Sequence, residues 1–142
     1  MPYPKKDIVE SRENGGTENT QETVKVWIED GVIYAVYLKN TEITLELKKE
    51  HHRLYKELVG ERYMPLLLEI EEGVTVNRDA RAFSKKIEEK QPFTACAVFV
   101  KSLSFKILAN FYARFYKPKK PFKVFDDKHE ALKWLQQYKQ SK

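Results

Sequence analysis

A chain of 142 residues, 42% hydrophobic and 13% aromatic, can bury one sizeable core but not the cores of two ordinary domains. No window approaches the roughly 20 apolar residues of a spanning helix, and no apolar run follows the N-terminal lysines, so a soluble, cytoplasmic chain is expected. The formal charge of +5 is uneven: residues 1–22 hold three basic and five acidic side chains, which leaves +7 on the remainder. That excess favours an anionic partner, although Lys and Arg also alternate with Glu as on solvated helix faces.

Residues 1–22 mix Pro2, Pro4, Gly15 and Gly16 with Ser, Glu, Asn, Thr and Gln, and carry almost no large apolar side chain. They read as a disordered tail, dispensable for folding, ahead of one α/β domain over 23–142. Alternation then begins. Val24, Val26 and Ile28 form one run, Ile33, Ala35 and Tyr37 the next, and Asp30-Gly31 between them supplies the positive φ angles of a tight primed turn. Thr44 can cap a helix that carries Leu47, Leu54, Tyr55 and Leu58 to a stop at Gly60. Leu66 to Ile70 is a continuous apolar run and predicts a strand covered on both faces. Asn77 can cap a second helix over 78–90, and Phe93 to Val100 reads as another two-sided strand. Ser102 can cap a third helix reaching Tyr116 before Pro118 ends it. Phe122 to Phe125 is a short strand, and Asp127 with Glu130 forms a capping box for a last helix. Strands that alternate with helices imply right-handed crossovers and a mainly parallel sheet, with the hairpin as its antiparallel edge.

This order, with Trp27-Ile-Glu-Asp-Gly-Val-Ile-Tyr34 near the start and Phe122-Lys-Val-Phe-Asp-Asp-Lys-His-Glu-Ala-Leu-Lys-Trp-Leu135 near the end, resembles the bacterial SpoIIAA-like or STAS-like domains over residues 23–139. The resemblance implies a mixed, mainly parallel sheet with four helices, and a domain that works by binding other proteins. Signalling members of that family carry a phosphorylatable Asp-Ser pair where a strand turns into its helix. The corresponding stretch here, Glu72-Gly-Val-Thr-Val-Asn-Arg-Asp-Ala80, has no serine; Thr75 is the nearest hydroxyl and is displaced, so no phospho-switch is expected.

Other chemistry is weakly signalled. In open α/β sheets ligands gather at the carboxyl ends of the parallel strands, which points to Thr75, Asn77, Lys101 and Ser102 as a candidate strand-end loop site, beside Glu71, Glu72, Asp126 and Asp127. Each also has an ordinary task, as a helix cap or solvated loop residue. His51 and His52 are adjacent, so on a helix they point about 100° apart and suit no shared metal ion. His51, between Leu47 and Tyr55, reads as a hydrogen-bonded, partly buried histidine, and Cys96 in its apolar run as a small hydrophobe. Neither a nucleophile elbow nor a glycine-rich phosphate loop appears, so no enzyme activity and no cofactor is expected.

The third helix is the most informative segment. At 100° per residue, Ile107, Leu108, Phe111 and Phe115 are expected to face the core, and Phe105, Tyr112 and Tyr116 to form an adjoining aromatic flank for a protein partner or a second copy in a dimer. Arg114, Lys117, Lys119, Lys120 and Lys123 follow, interleaved with Phe115, Tyr116 and Phe122. The leading expectation is a non-enzymatic interaction domain. Its rivals are a carrier of a small apolar or lipid ligand and a weak binder of nucleic acid or an anionic surface.

Overall fold

The structure is a computed structural model that describes residues 9–13 and 21–139. The strands and helices run β1 (Val9–Glu13), β2 (Gln21–Glu29), β3 (Val32–Tyr37), β4 (Glu42–Ile43), α1 (Leu45–Val59), β5 (Met64–Ile70), β6 (Thr75–Val76), α2 (Arg78–Lys86), β7 (Phe93–Phe99), α3 (Leu103–Tyr116), β8 (Phe122–Phe125) and α4 (Lys128–Leu135). A short 3-10 turn, Glu88–Lys90, closes α2, and another, Gln136–Tyr138, closes α4.

Local chemistry sets the boundaries. Asp30 and Gly31 both take positive φ, 53° and 75°, as the β2–β3 turn requires, and β2 pairs antiparallel with β3 from Val24 opposite Tyr37 to Glu29 opposite Val32. The Thr44 hydroxyl accepts from the Leu47 backbone N–H at 3.2 Å, and Asn77, Ser102 and Asp127 accept from Ala80, Phe105 and Glu130 in the same way.

Six strands form one sheet in the order β1-β2-β3-β5-β7-β8, with β3, β5, β7 and β8 parallel. This is the mixed, mainly parallel α/β architecture expected. Two features were not. Val9–Glu13 lies within the stretch read as a tail, yet it pairs antiparallel with β2, Val9 opposite Val26 and Glu13 opposite Gln21. Main-chain groups along the edge of β2 can be satisfied without any apolar alternation in the added strand, so composition gives no warning of it. The rest of that stretch, 1–8 and 14–20, lies outside the described residues. The second feature is a two-stranded parallel ladder of β4 and β6, joining Glu42 to Thr75 and Ile43 to Val76.

Helices are shared unequally between the faces. α1 and α2 cover Val24, Val26, Ile33, Ala35 and Leu66, with Leu54, Tyr55, Val59 and Ala80 as the helix side of that core. α4 covers the other face, where Ala131 and Leu135 meet Val32, Leu67, Ala95, Ala97 and Phe99. α3 lies on the same face as α1 and α2 but over the β7–β8 edge, with Val98, Val100 and Val124 beneath Phe105 and Ala109.

His51 is fully buried on the inner side of α1, its ring 5.3 Å from that of Tyr37, and neither ring nitrogen has a hydrogen-bond partner among the described residues. That corrects the expectation of a hydrogen-bonded, partly buried ring. Burial, aided by the neighbouring Lys48 cation, pushes its pKa down to about 3, so the folded chain holds it neutral. The unfolded imidazole titrates near 6.5 and takes up a proton the folded state refuses. Stability from this group is therefore complete above that pH and is lost as pH falls toward 3, with a slope approaching about 1.4 kcal/mol per pH unit. Urea denaturation of the wild type and of His51→Leu between pH 7 and pH 4 checks this. The wild type should lose stability relative to the variant as pH falls, whereas a gap independent of pH would contradict a neutral buried histidine.

Candidate functional site

The strand-end residues are occupied individually. Thr75 is exposed in β6, its backbone N–H donating to Thr41 at 3.0 Å, and Asn77 and Ser102 cap α2 and α3. Lys101 reaches the buried Glu69 carboxylate at 3.7 Å, while the Glu71 carboxylate accepts from the Lys39 backbone N–H at 2.9 Å. The loop before Thr75 is held against the one after β3. The Asn40 N–H donates to the Glu72 carbonyl at 3.0 Å, and a Cβ added to Gly73, at φ +82°, would stand 2.0 Å from Asn40 Oδ1. These contacts make the segment a tied corner.

His52 points away from its neighbour, its Nδ1 at 2.6 Å from Gln91 Oε1. Among the described residues no three His, Cys, Asp or Glu side chains converge as metal ligands. Cys96 is half-buried on β7, and burial pushes its thiol up to about 12, far from the thiolate a nucleophile needs.

α3 differs from the other helices in what it leaves outside. Ile107 is 63% exposed, Leu108 51% and Phe111 56%, so these three residues of the arc expected to form the core face solvent, with Leu103, 64% exposed, beside them. Phe105, expected on the contact flank, instead packs half-buried on Val98, Val100 and Val124 together with Ala109. The side chains of Tyr112, Phe115 and Tyr116 lie outside the described residues. The reversal has a steric cause. Phe105 and Ala109, four residues apart, hold the helix to the sheet, and the short Ala109 side chain lets the helix approach closely while the arc of Ile107, Leu108 and Phe111 turns outward. Ala109 beside Phe105 was the signal available in the sequence, and the wide apolar arc around it masked it.

The electrostatics of the same segment are one-sided. From Lys101 to Phe125 there are seven cationic side chains and no carboxylate. Lys106 meets Asp126 at 3.5 Å, and Lys119 meets Glu89 at 3.5 Å, while Lys120 Nζ donates to the Gln91 carbonyl at 2.7 Å. Arg114, Lys117 and Lys123 are exposed. An apolar stripe from Leu103 to Phe111 on the helix thus runs toward a basic connection.

Residues 26–139 match the model of a domain of unknown function, DUF7793. The chain belongs to the DUF7793 family. No match was found among the curated proteins. Among solved structures, this DUF7793 chain is similar to an uncharacterised protein of the DUF3478 family with a SpoIIAA-like fold from Shewanella loihica PV-4, at 17% identity and a TM-score of 0.57, with 95% of this chain and 98% of that one covered. The fold is therefore SpoIIAA-like, as the hairpin and the terminal capped helix suggested. Among the described residues no helix is long and apolar enough to cross a membrane.

The two sides of α3 should respond differently to substitution. Phe105→Ala removes a half-buried ring and is expected to destabilise the domain by about 1–3 kcal/mol. Ile107→Ser changes an exposed position and should stay within about 0.5 kcal/mol of wild type. Urea denaturation of both variants measures the contrast, and the opposite order would mean that the helix is rotated.

Proposed function

We propose that this DUF7793 chain is a non-enzymatic docking domain whose contact surface is the outer face of α3. The observation that carries the reading is the exposure of Leu103, Ile107, Leu108 and Phe111 as one stripe on a helix whose opposite side already holds the sheet. Four large apolar side chains on one exposed helix face are unfavourable in water and become favourable when a second surface covers them. The strand-end residues support the non-enzymatic part, since Asn77, Ser102 and Asp127 serve as caps and Lys101 as an ion-pair partner. The contact surface is this stripe rather than the aromatic flank of Phe105, since Phe105 packs on the sheet.

A second reading, a carrier of an apolar ligand, has one observation in its favour. Leu68, Ile70 and Cys96 lie on the central strands β5 and β7, touch both the α1–α2 cluster and the α3 cluster, and remain half-buried. They floor the seam between those helices, where an apolar chain would lie. A co-purifying small molecule in a native mass spectrum would favour that reading.

Photo-cross-linking in the native host tests the docking surface. With p-benzoylphenylalanine at position 107, an adduct is expected, and with the same group at the exposed position 133 on α4, none. Equal labelling at both positions, or none at 107, would contradict a docking role for α3.

A further inference from the structure

The outer face of α3 has a chemistry that selects among the surfaces able to cover it. The helix runs 14 residues, roughly 21 Å at 1.5 Å per residue, and presents Leu103, Ile107 and Phe111 at four-residue intervals with Leu108 beside them. Arg114 falls on the same face, three residues beyond Phe111, and Lys117 follows at the C-cap. The segment is amphipathic in an unusual sense: its second apolar side is the one that faces outward, with cations at its ends and in the connection that follows.

From this arrangement we infer that α3 lies on the interface of an anionic lipid bilayer, with Leu103, Ile107, Leu108 and Phe111 entering the headgroup and acyl boundary and Arg114, Lys117 and Lys123 meeting the lipid phosphates. The inference rests on the docking reading above and names its partner. Charge complementarity decides between the occupants. A second copy docking face to face would bring the exposed Arg114, Lys117 and Lys123 of one acid-free segment against those of the other, and the repulsion would oppose the apolar gain. A nucleic acid would satisfy the lysines but leave four aliphatic and aromatic side chains against phosphate and sugar. A bilayer of anionic lipid satisfies both classes at once, because its boundary is apolar at the depth a helix face reaches and negative where long basic side chains extend. The shape agrees, since the stripe lies along the outside of one helix and so suits a broad, deformable surface.

The test is vesicle flotation of the purified full chain. It should float with vesicles of three parts phosphatidylcholine to one part phosphatidylserine and remain behind with phosphatidylcholine alone. Raised salt should weaken the binding. Ile107→Ser combined with Phe111→Ser should abolish flotation while the melting temperature stays within a few degrees, and Arg114→Gln with Lys117→Gln should reduce binding on the order of tenfold. No flotation with the anionic vesicles, equal flotation with neutral ones, or unaltered flotation of the Ile107/Phe111 variant overturns the inference. A protein adduct at position 107 without vesicle binding would remove the lipid assignment and leave the docking reading intact. A dimer seen by light scattering and lost in the Ile107/Phe111 variant would assign the face to a second copy instead.

Discussion

Everything in this domain depends on keeping β5 and β7 dry on both faces. Leu66 and Leu67 point to opposite sides of β5, and Ala97 and Val98 to opposite sides of β7; all four are buried. Parallel strands of this kind have no solvated face, so helices must be supplied above and below. The chain supplies three to one face and one to the other. Because α1 and α2 already fill the space over β2, β3 and the start of β5, α3 is left with the β7–β8 edge. A narrow edge needs only a narrow helix stripe, and Phe105 with Ala109 provides it. The outward arc of α3 follows from that geometry.

Much of this was legible in the residues. Asp30-Gly31 announces a primed turn, Thr44 and Asn77 announce helix starts, and two-sided apolar runs announce the central strands, each through a local rule that tertiary packing did not override. The elements that escaped, β1 and the β4–β6 ladder, are held by main-chain hydrogen bonds and so leave little trace in side-chain pattern. The site was less legible. α3 is apolar over most of its circumference, and periodicity alone cannot say which of two apolar arcs faces the sheet. Packing selects the arc of Phe105 and the small Ala109 for the inside.

The corner before α2 departs from the Asp-Ser pattern of the signalling SpoIIAA-like domains that the sequence resembles. A phospho-switch requires a hydroxyl that a kinase can reach and a segment whose contacts a phosphate can rearrange. Here Thr75 belongs to a short ladder with β4, and Asn40 and Gly73 interlock behind it. Among the described residues the apolar side chains with the greatest exposure, Leu103, Ile107, Leu108 and Phe111, sit on α3 rather than at this corner.

The most direct measurement is the environment of that surface when lipid is added. A nitroxide attached at Ile107→Cys, in a background where Cys96 is replaced by Ala, reports its exposure to oxygen and to a water-soluble nickel complex. In the free chain the label should be open to the nickel complex. With phosphatidylserine-containing vesicles it should become shielded from nickel and accessible to oxygen, while a label at Lys133→Cys on α4 stays unchanged. A label at position 107 that remains as open to nickel with vesicles as without them would contradict the account.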